Sequence, residues 1–215
     1  MMQLHYFPGN ASMIPHILLE DLGVPFQLLH VDRTVGAHKT TAYLKLNPNG
    51  LIPVLVDGDL VLYETAAICL HLADTHPGAG LVPAPGTTQR AHLYKWLIWM
   101  TNTLQATLIP FFYPERWVDA GNVAGAAQVK AHAEASAGAM LDQLDAQLAA
   151  HTQPWLLGEG FSLLDPYALV LCRWTRNFRR PARSLRHLGP YLQRTLARPA
   201  IQRVFASEKL PPPFV

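Results

Sequence analysis

The chain has 215 residues, half of them hydrophobic and 15% charged, with 17 basic against 15 acidic side chains and a net charge of +2. That profile excludes a long disordered or solvating segment, and so even a balance draws no polyanion by overall field, so no nucleic-acid partner is expected. The length allows one large domain or two of ordinary size.

Cys69 and Cys172 fall inside apolar helical patterns, where a free cysteine behaves as a small buried hydrophobe, and no disulfide framework, C-x-x-C pair or metal site is read from them. The start, Met1-Met2-Gln3-Leu4-His5, lacks the regions of a signal peptide, and no apolar run approaches the ~18 residues of a membrane span. The expectation is a cytoplasmic protein with no membrane partner. The arginine run from Arg173 through Arg186 reads as a solvated helix face and loop, or as a contact for an anionic co-substrate or a subunit.

Gln3 to Phe7 reads as a short strand, broken by Pro8-Gly9-Asn10, and a helix follows with Ser12 as its N-cap and Gly23 as its stop. Phe26–Val31 reads as a second strand and Thr40–Leu46 as a short helix. Leu51–Val56 and Asp59–Tyr63 flank a Gly-containing turn, as two strands of a hairpin do. Glu64-Thr65 opens a helix that ends by Pro77. The order β-α-β-α-β-β-α implies a parallel pair with a right-handed crossover plus an antiparallel edge, a mixed four-stranded sheet. The predicted boundaries are a sheet domain over 1–77, a Pro- and Gly-rich linker over 78–87, and an all-helical domain over 88–215 with helices near 88–112, 122–151, 163–174, 188–197 and 200–208.

Pro53 opens a predicted strand, where it fits either as an edge residue with an ordinary trans bond or as a cis proline that leaves the Ile52 peptide free to pair with an extended ligand. Glu64-Thr65 sits where a strand hands over to a helix, so unpaired amides and the positive end of the helix dipole favour a carboxylate there. Thr65 can cap the helix and touch that carboxylate, and Glu64 can pair with an α-ammonium group. An ordinary N-cap with a dipole-compensating acid fits the same two residues.

Taken together, Asn47-Pro48-Asn49-Gly50-Leu51-Ile52-Pro53-Val54-Leu55 and Leu62-Tyr63-Glu64-Thr65-Ala66-Ala67-Ile68 resemble the cis-proline strand and the acid-hydroxyl site of the glutathione transferase family. Gly158-x-x-Phe161-Ser162-Leu163-Leu164-Asp165 is similar to that family's helix-capping motif, with Ser162 and Asp165 capping each other. The resemblance spans nearly the whole chain. It implies a thioredoxin-like domain followed by a helical one, a homodimer, glutathione as co-substrate, and a cis bond at Pro53.

The segment Leu4–His16 is most similar to the bacterial beta class, but Ala11 stands where that class carries a cysteine, so a mixed disulfide with glutathione is not available here. Gln105 and Leu51 likewise stand where the class carries a histidine and a glutamine. A thiol of pKa ~8.5 is only a few per cent ionised at neutral pH, so another group must stabilise the thiolate. Ser12 comes first among the candidates, as a hydroxyl at a helix start. Tyr6 is the main rival, at the position of the catalytic phenol in tyrosine-type members, and the Asn10 amide is the third.

The resemblance further implies glutathione contacts from Lys39, Leu51, Ile52, Glu64 and Thr65, with His38 as the alternative to Lys39 at the glycine carboxylate. Phe112 and Trp117 are expected to wall an apolar pocket for a small hydrophobic electrophile. The implied chemistry is conjugation of the glutathione thiolate to that electrophile. A glutathione-dependent isomerase or lyase, and a non-catalytic glutathione-binding or interaction protein, are the alternatives on the same fold.

Overall fold

The computed structural model describes residues 1–215. It divides into two compact units, one of Met1–Val82 with Thr195–Pro212 and the other of Pro83–Arg194 with Pro213–Val215. The sequence reading places all of 88–215 in one helical domain; in the structure 195–212 group with the sheet unit instead.

The sheet unit is built on β1 (Met2–Tyr6), β2 (Phe26–His30), β3 (Val54–Asp57) and β4 (Leu60–Tyr63), in the order β2-β1-β3-β4. β1 pairs parallel with β2 and antiparallel with β3, and β3 pairs antiparallel with β4. β3 begins three residues later than the sequence suggests, because Pro53 has no N–H to give to the ladder. The Ile52–Pro53 bond is cis.

Helix α1 (Met13–Leu22) crosses between β1 and β2, and its residues from Met13 to Leu19 are all buried, as in a helix apolar on every side. Gly23 ends it in the left-handed conformation, its amide donating to the Leu19 carbonyl. α2 (Thr41–Leu44) is a single turn capped by Thr40, and α3 (Thr65–Thr75) follows β4. The other face of α1 is covered by α9, which is Pro199–Ser207.

In the helical unit, α4 (Thr88–Trp99), a π-helical stretch over Met100–Gln105 and α5 (Ala106–Phe112) form one continuous rod where a single helix was expected. α6 (Val123–Ala149) buries Ala133, Ala137, Leu141, Leu144 and Leu148, a stripe at helical spacing. α7 (Leu164–Trp174) is buried from Leu164 through Arg173, and α8 (Leu188–Leu196) leads the chain back to the sheet unit. The Ser162–Asp165 cap forms as expected: the Ser162 amide donates to Asp165 Oδ2 at 2.7 Å and the Leu164 amide to Ser162 Oγ at 3.3 Å. No helix is long and apolar enough to cross a membrane.

Candidate functional site

The register of the sheet assembles the site. Leu29, His5, Val54 and Tyr63 stand side by side across the four strands. The next positions past that row are His30, Tyr6, Pro53 and Glu64, so the β1–α1 turn, the Ile52–Pro53 peptide and the start of α3 all emerge at one end of the sheet. In an open sheet with parallel strands this end, beyond their carboxyl termini, is where ligands bind.

The β1–α1 turn gives the three candidate thiol partners different surroundings. Ser12 has no exposed surface, and its hydroxyl donates to the Phe7 carbonyl at 3.1 Å while accepting from the Phe7 amide at 3.2 Å. It makes no N-cap bond, contrary to expectation, because its side chain closes the turn instead. The Tyr6 ring lies half-buried, edge-on to His16 and His30, and burial together with the charge of Glu208 pushes its phenol above the usual range. Asn10 is half-buried. Its Oδ1 accepts from the Ser12 amide at 2.7 Å, which orients the amide group and leaves its Nδ2 as a donor that no hydrogen bond within the chain uses.

Behind this turn stands a carboxylate that the sequence reading missed. Glu208, just past α9, is 4% exposed and accepts from the Gly9 amide at 2.8 Å with one oxygen and from His16 Nδ1 at 2.8 Å with the other. A histidine inside the otherwise apolar run Met13–Leu19 is the one local signal that a partner must exist. That partner lies 192 residues away.

On the β3 side the ladder with β1 ends at the His5–Val54 pair, which leaves the Ile52 peptide outside it. Leu51 is 58% exposed and Ile52 half-buried. Glu64 occupies the N-cap position of α3 with φ 71° and ψ 113°, an unusual conformation for a residue with a side chain, and its own side chain makes no cap bond. Thr65 is thus the first helical residue and not the cap that the sequence suggested. It is buried at the positive end of an eleven-residue helix. Lys39 is exposed, with Nζ donating to the Asn49 carbonyl at 3.3 Å. His38 beside it has its pKa held down by burial and by the charges of Arg33 and Lys39.

The structure does not bring Phe112 and Trp117 to one pocket. Phe112 lines a groove of about 510 Å³ with Phe111, Lys130 and Asn177, whereas Trp117 lines one of about 630 Å³ with Pro110, Val129 and His132. Neither cysteine offers a nucleophile: both are buried, which pushes the Cys172 thiol up to about 12 and that of Cys69 higher still.

A mixed sheet of this topology with a cis proline at the start of β3, in a chain that continues into an all-helical unit, defines the thioredoxin-like architecture of the glutathione transferases. Residues 11–75 match the family model of the glutathione S-transferase N-terminal domain and residues 99–199 that of the C-terminal domain. The chain is 35% identical over 202 residues to glutathione S-transferase 3 of Zea mays, covering 91% of this chain and 89% of that protein. It is 31% identical to glutathione S-transferase GST-4.5 of Xanthomonas campestris pv. campestris, covering 97% of this chain and all of that one. Among solved structures, a glutathione transferase homologue from Sulfitobacter with bound glutathione superposes with a TM-score of 0.88 at 26% identity, covering 98% of this chain and 99% of that chain. The chain belongs to the glutathione S-transferase family and is a glutathione transferase.

Proposed function

We propose that glutathione lies across the end of the sheet in one orientation, and that its thiolate is conjugated to small apolar electrophiles. The Glu64 carboxylate pairs with the α-ammonium group, and Thr65 with the first amides of α3 receives the γ-glutamyl carboxylate. The Ile52 peptide pairs with the cysteinyl backbone as an added strand would, with Leu51 alongside, and Lys39 approaches the glycine carboxylate. The observation that carries this reading is the register, in which the row of His5, Val54 and Tyr63 sets the β1–α1 turn, the Ile52 peptide and Glu64 next to one another.

The cysteinyl sulfur then meets the β1–α1 turn, where Asn10 Nδ2 is the donor free to bind it. Ser12 keeps Asn10 aimed, through its amide on Oδ1. Lowering a thiol by two pKa units takes about 2.7 kcal/mol of preferential thiolate stabilisation, and one hydrogen bond to a charged acceptor supplies roughly 1.5–3 kcal/mol of it. The thiolate attacks the electrophilic carbon, an S–C bond forms, and the leaving group departs with its electron pair.

Ultraviolet absorbance of the bound thiolate across a pH series tests the assignment. Asn10→Ala should raise the apparent pKa of bound glutathione by about 1–2 units, while Tyr6→Phe shifts it little. Ser12→Ala should act only by loosening the turn. A full thiolate signal in Asn10→Ala together with its loss in Tyr6→Phe would make the phenol the activating group.

We further infer a cytoplasmic homodimer. Tyr94 and Ile98 on α4 are exposed, and α6 presents an Ala-rich surface that permits close approach of a neighbouring helix.

A further inference from the structure

We propose that Tyr43 and Asn47 are positioning residues for glutathione: together they hold the Leu51 carbonyl from inside the fold, and so turn the Ile52 amide outward to the ligand. This rests on the glutathione reading above. The Tyr43 hydroxyl donates to the Leu51 carbonyl at 2.9 Å, and Asn47 Nδ2 donates to the same oxygen at 2.9 Å. Two donors fill both lone pairs of a carbonyl. The Leu51–Ile52 peptide is trans, since the cis bond lies one residue further on, and in a trans peptide the N–H points opposite to the C=O. An oxygen anchored inward therefore means an amide directed away from Tyr43 and Asn47.

Both anchors are themselves fixed. Tyr43 is buried in a small core with Val31 and Val54, its ring edge-on to His5, and burial pushes its phenol far above the usual range, so it remains a protonated donor. Asn47 is 2% exposed; its Oδ1 accepts from the Asn49 amide at 3.0 Å and its carbonyl from the Gly50 amide at 2.9 Å, which fixes the side chain through the turn it closes. Leu51 is exposed on its other side, so without these anchors its peptide plane could rotate and offer the carbonyl to water. Rotation in the intact protein would strand a buried phenol and a buried amide without acceptors. The peptide is thus held in the binding orientation before the ligand arrives.

Tyr43→Phe keeps the ring in its core and removes only the donor. In calorimetric titration with glutathione it should weaken binding roughly three- to tenfold, and KM for glutathione should rise to match while kcat at saturation and the pKa of the bound thiol stay unchanged. Asn47→Asp, which retains the acceptor for the Asn49 amide, should do the same. Hydrogen exchange at the Ile52 amide of the unaltered protein supplies a check that needs no variant: slow in the presence of glutathione, fast without it. Wild-type affinity in Tyr43→Phe, a fall in kcat in place of a rise in KM, or an Ile52 amide unprotected by bound glutathione would each overturn the positioning role alone. Failure of the unaltered chain to bind glutathione would overturn the reading on which it rests.

Discussion

Glu64 is the residue at which stability and binding pull in opposite directions. A side chain at φ 71° and ψ 113° costs about 1–3 kcal/mol, and such residues persist where the surroundings demand them, often at ligand clamps. Glycine relieves that cost but carries no carboxylate. Glu64→Gly is therefore expected to raise the urea midpoint while weakening glutathione binding, whereas Glu64→Ala weakens binding without the gain in stability. Equal midpoints for the glycine and alanine variants would show that the backbone there is not strained. Asn10 and Ser12 make a related point, because they are neighbours in the same turn with opposite fates. One side chain is consumed by the turn it closes, and the other is oriented by it with a donor to spare.

At the scale of elements, the start of α7 shows how a capping motif becomes a structural hub. Asp165 accepts from the Ser162 amide and hydroxyl and also from the Leu156 amide at 3.1 Å and the Tyr191 hydroxyl at 2.7 Å, all in the buried interior. Burial pushes its carboxyl up, and these donors pull it back down. Asp165→Ala leaves four buried donor groups without this acceptor at ~1–3 kcal/mol each, which is a large share of the ~5–15 kcal/mol that holds a domain together. Urea unfolding should show a loss of at least about 4 kcal/mol, and a loss below ~1 kcal/mol would mean that water replaces the carboxylate without cost. Tyr191→Phe, which removes one donor and keeps the ring, should cost about 1 kcal/mol. α9 is the second element whose place follows from polar pairing. Its Arg203 reaches Glu20 of α1 at 2.6 Å, Arg198 just before it reaches Asp21 at 2.6 Å, and Glu208 just after it meets His16 and Gly9.

For the whole molecule, the inferred homodimer is the claim most exposed to a simple measurement. Light scattering at micromolar concentration should give twice the 23.8 kDa of one chain, with and without glutathione. Replacing exposed Ile98 with Glu should shift the mass toward the single chain, because a charge in an apolar interface is costly to bury. A mass of 23.8 kDa for the unaltered protein under both conditions would end the proposal.

Much of this molecule was legible in its sequence because the determining signals are local. Strand and helix periods, the Gly58-containing turn, the stop at Gly23 and the Ser162–Asp165 cap each rest on residues within a few positions of one another. Glu64, Thr65 and Ile52 fall at one end of the sheet because the β3–β4 hairpin brings near neighbours in sequence together. What only the tertiary structure decided are the pairings across long separations and the competition among polar groups for partners. Glu208 answers His16 from 192 residues away, and no periodicity in either helix announces it. The return of 195–212 to the sheet unit follows from the same contacts, which a linear boundary drawn at the linker does not contain. The partner of the Ser12 hydroxyl was equally hidden, because a serine at a helix start reads alike whether it caps the helix or closes the turn behind it. The decision fell to distance: the Phe7 backbone lies within 3.2 Å of that oxygen, and a buried polar group takes the partner that the fold puts in reach.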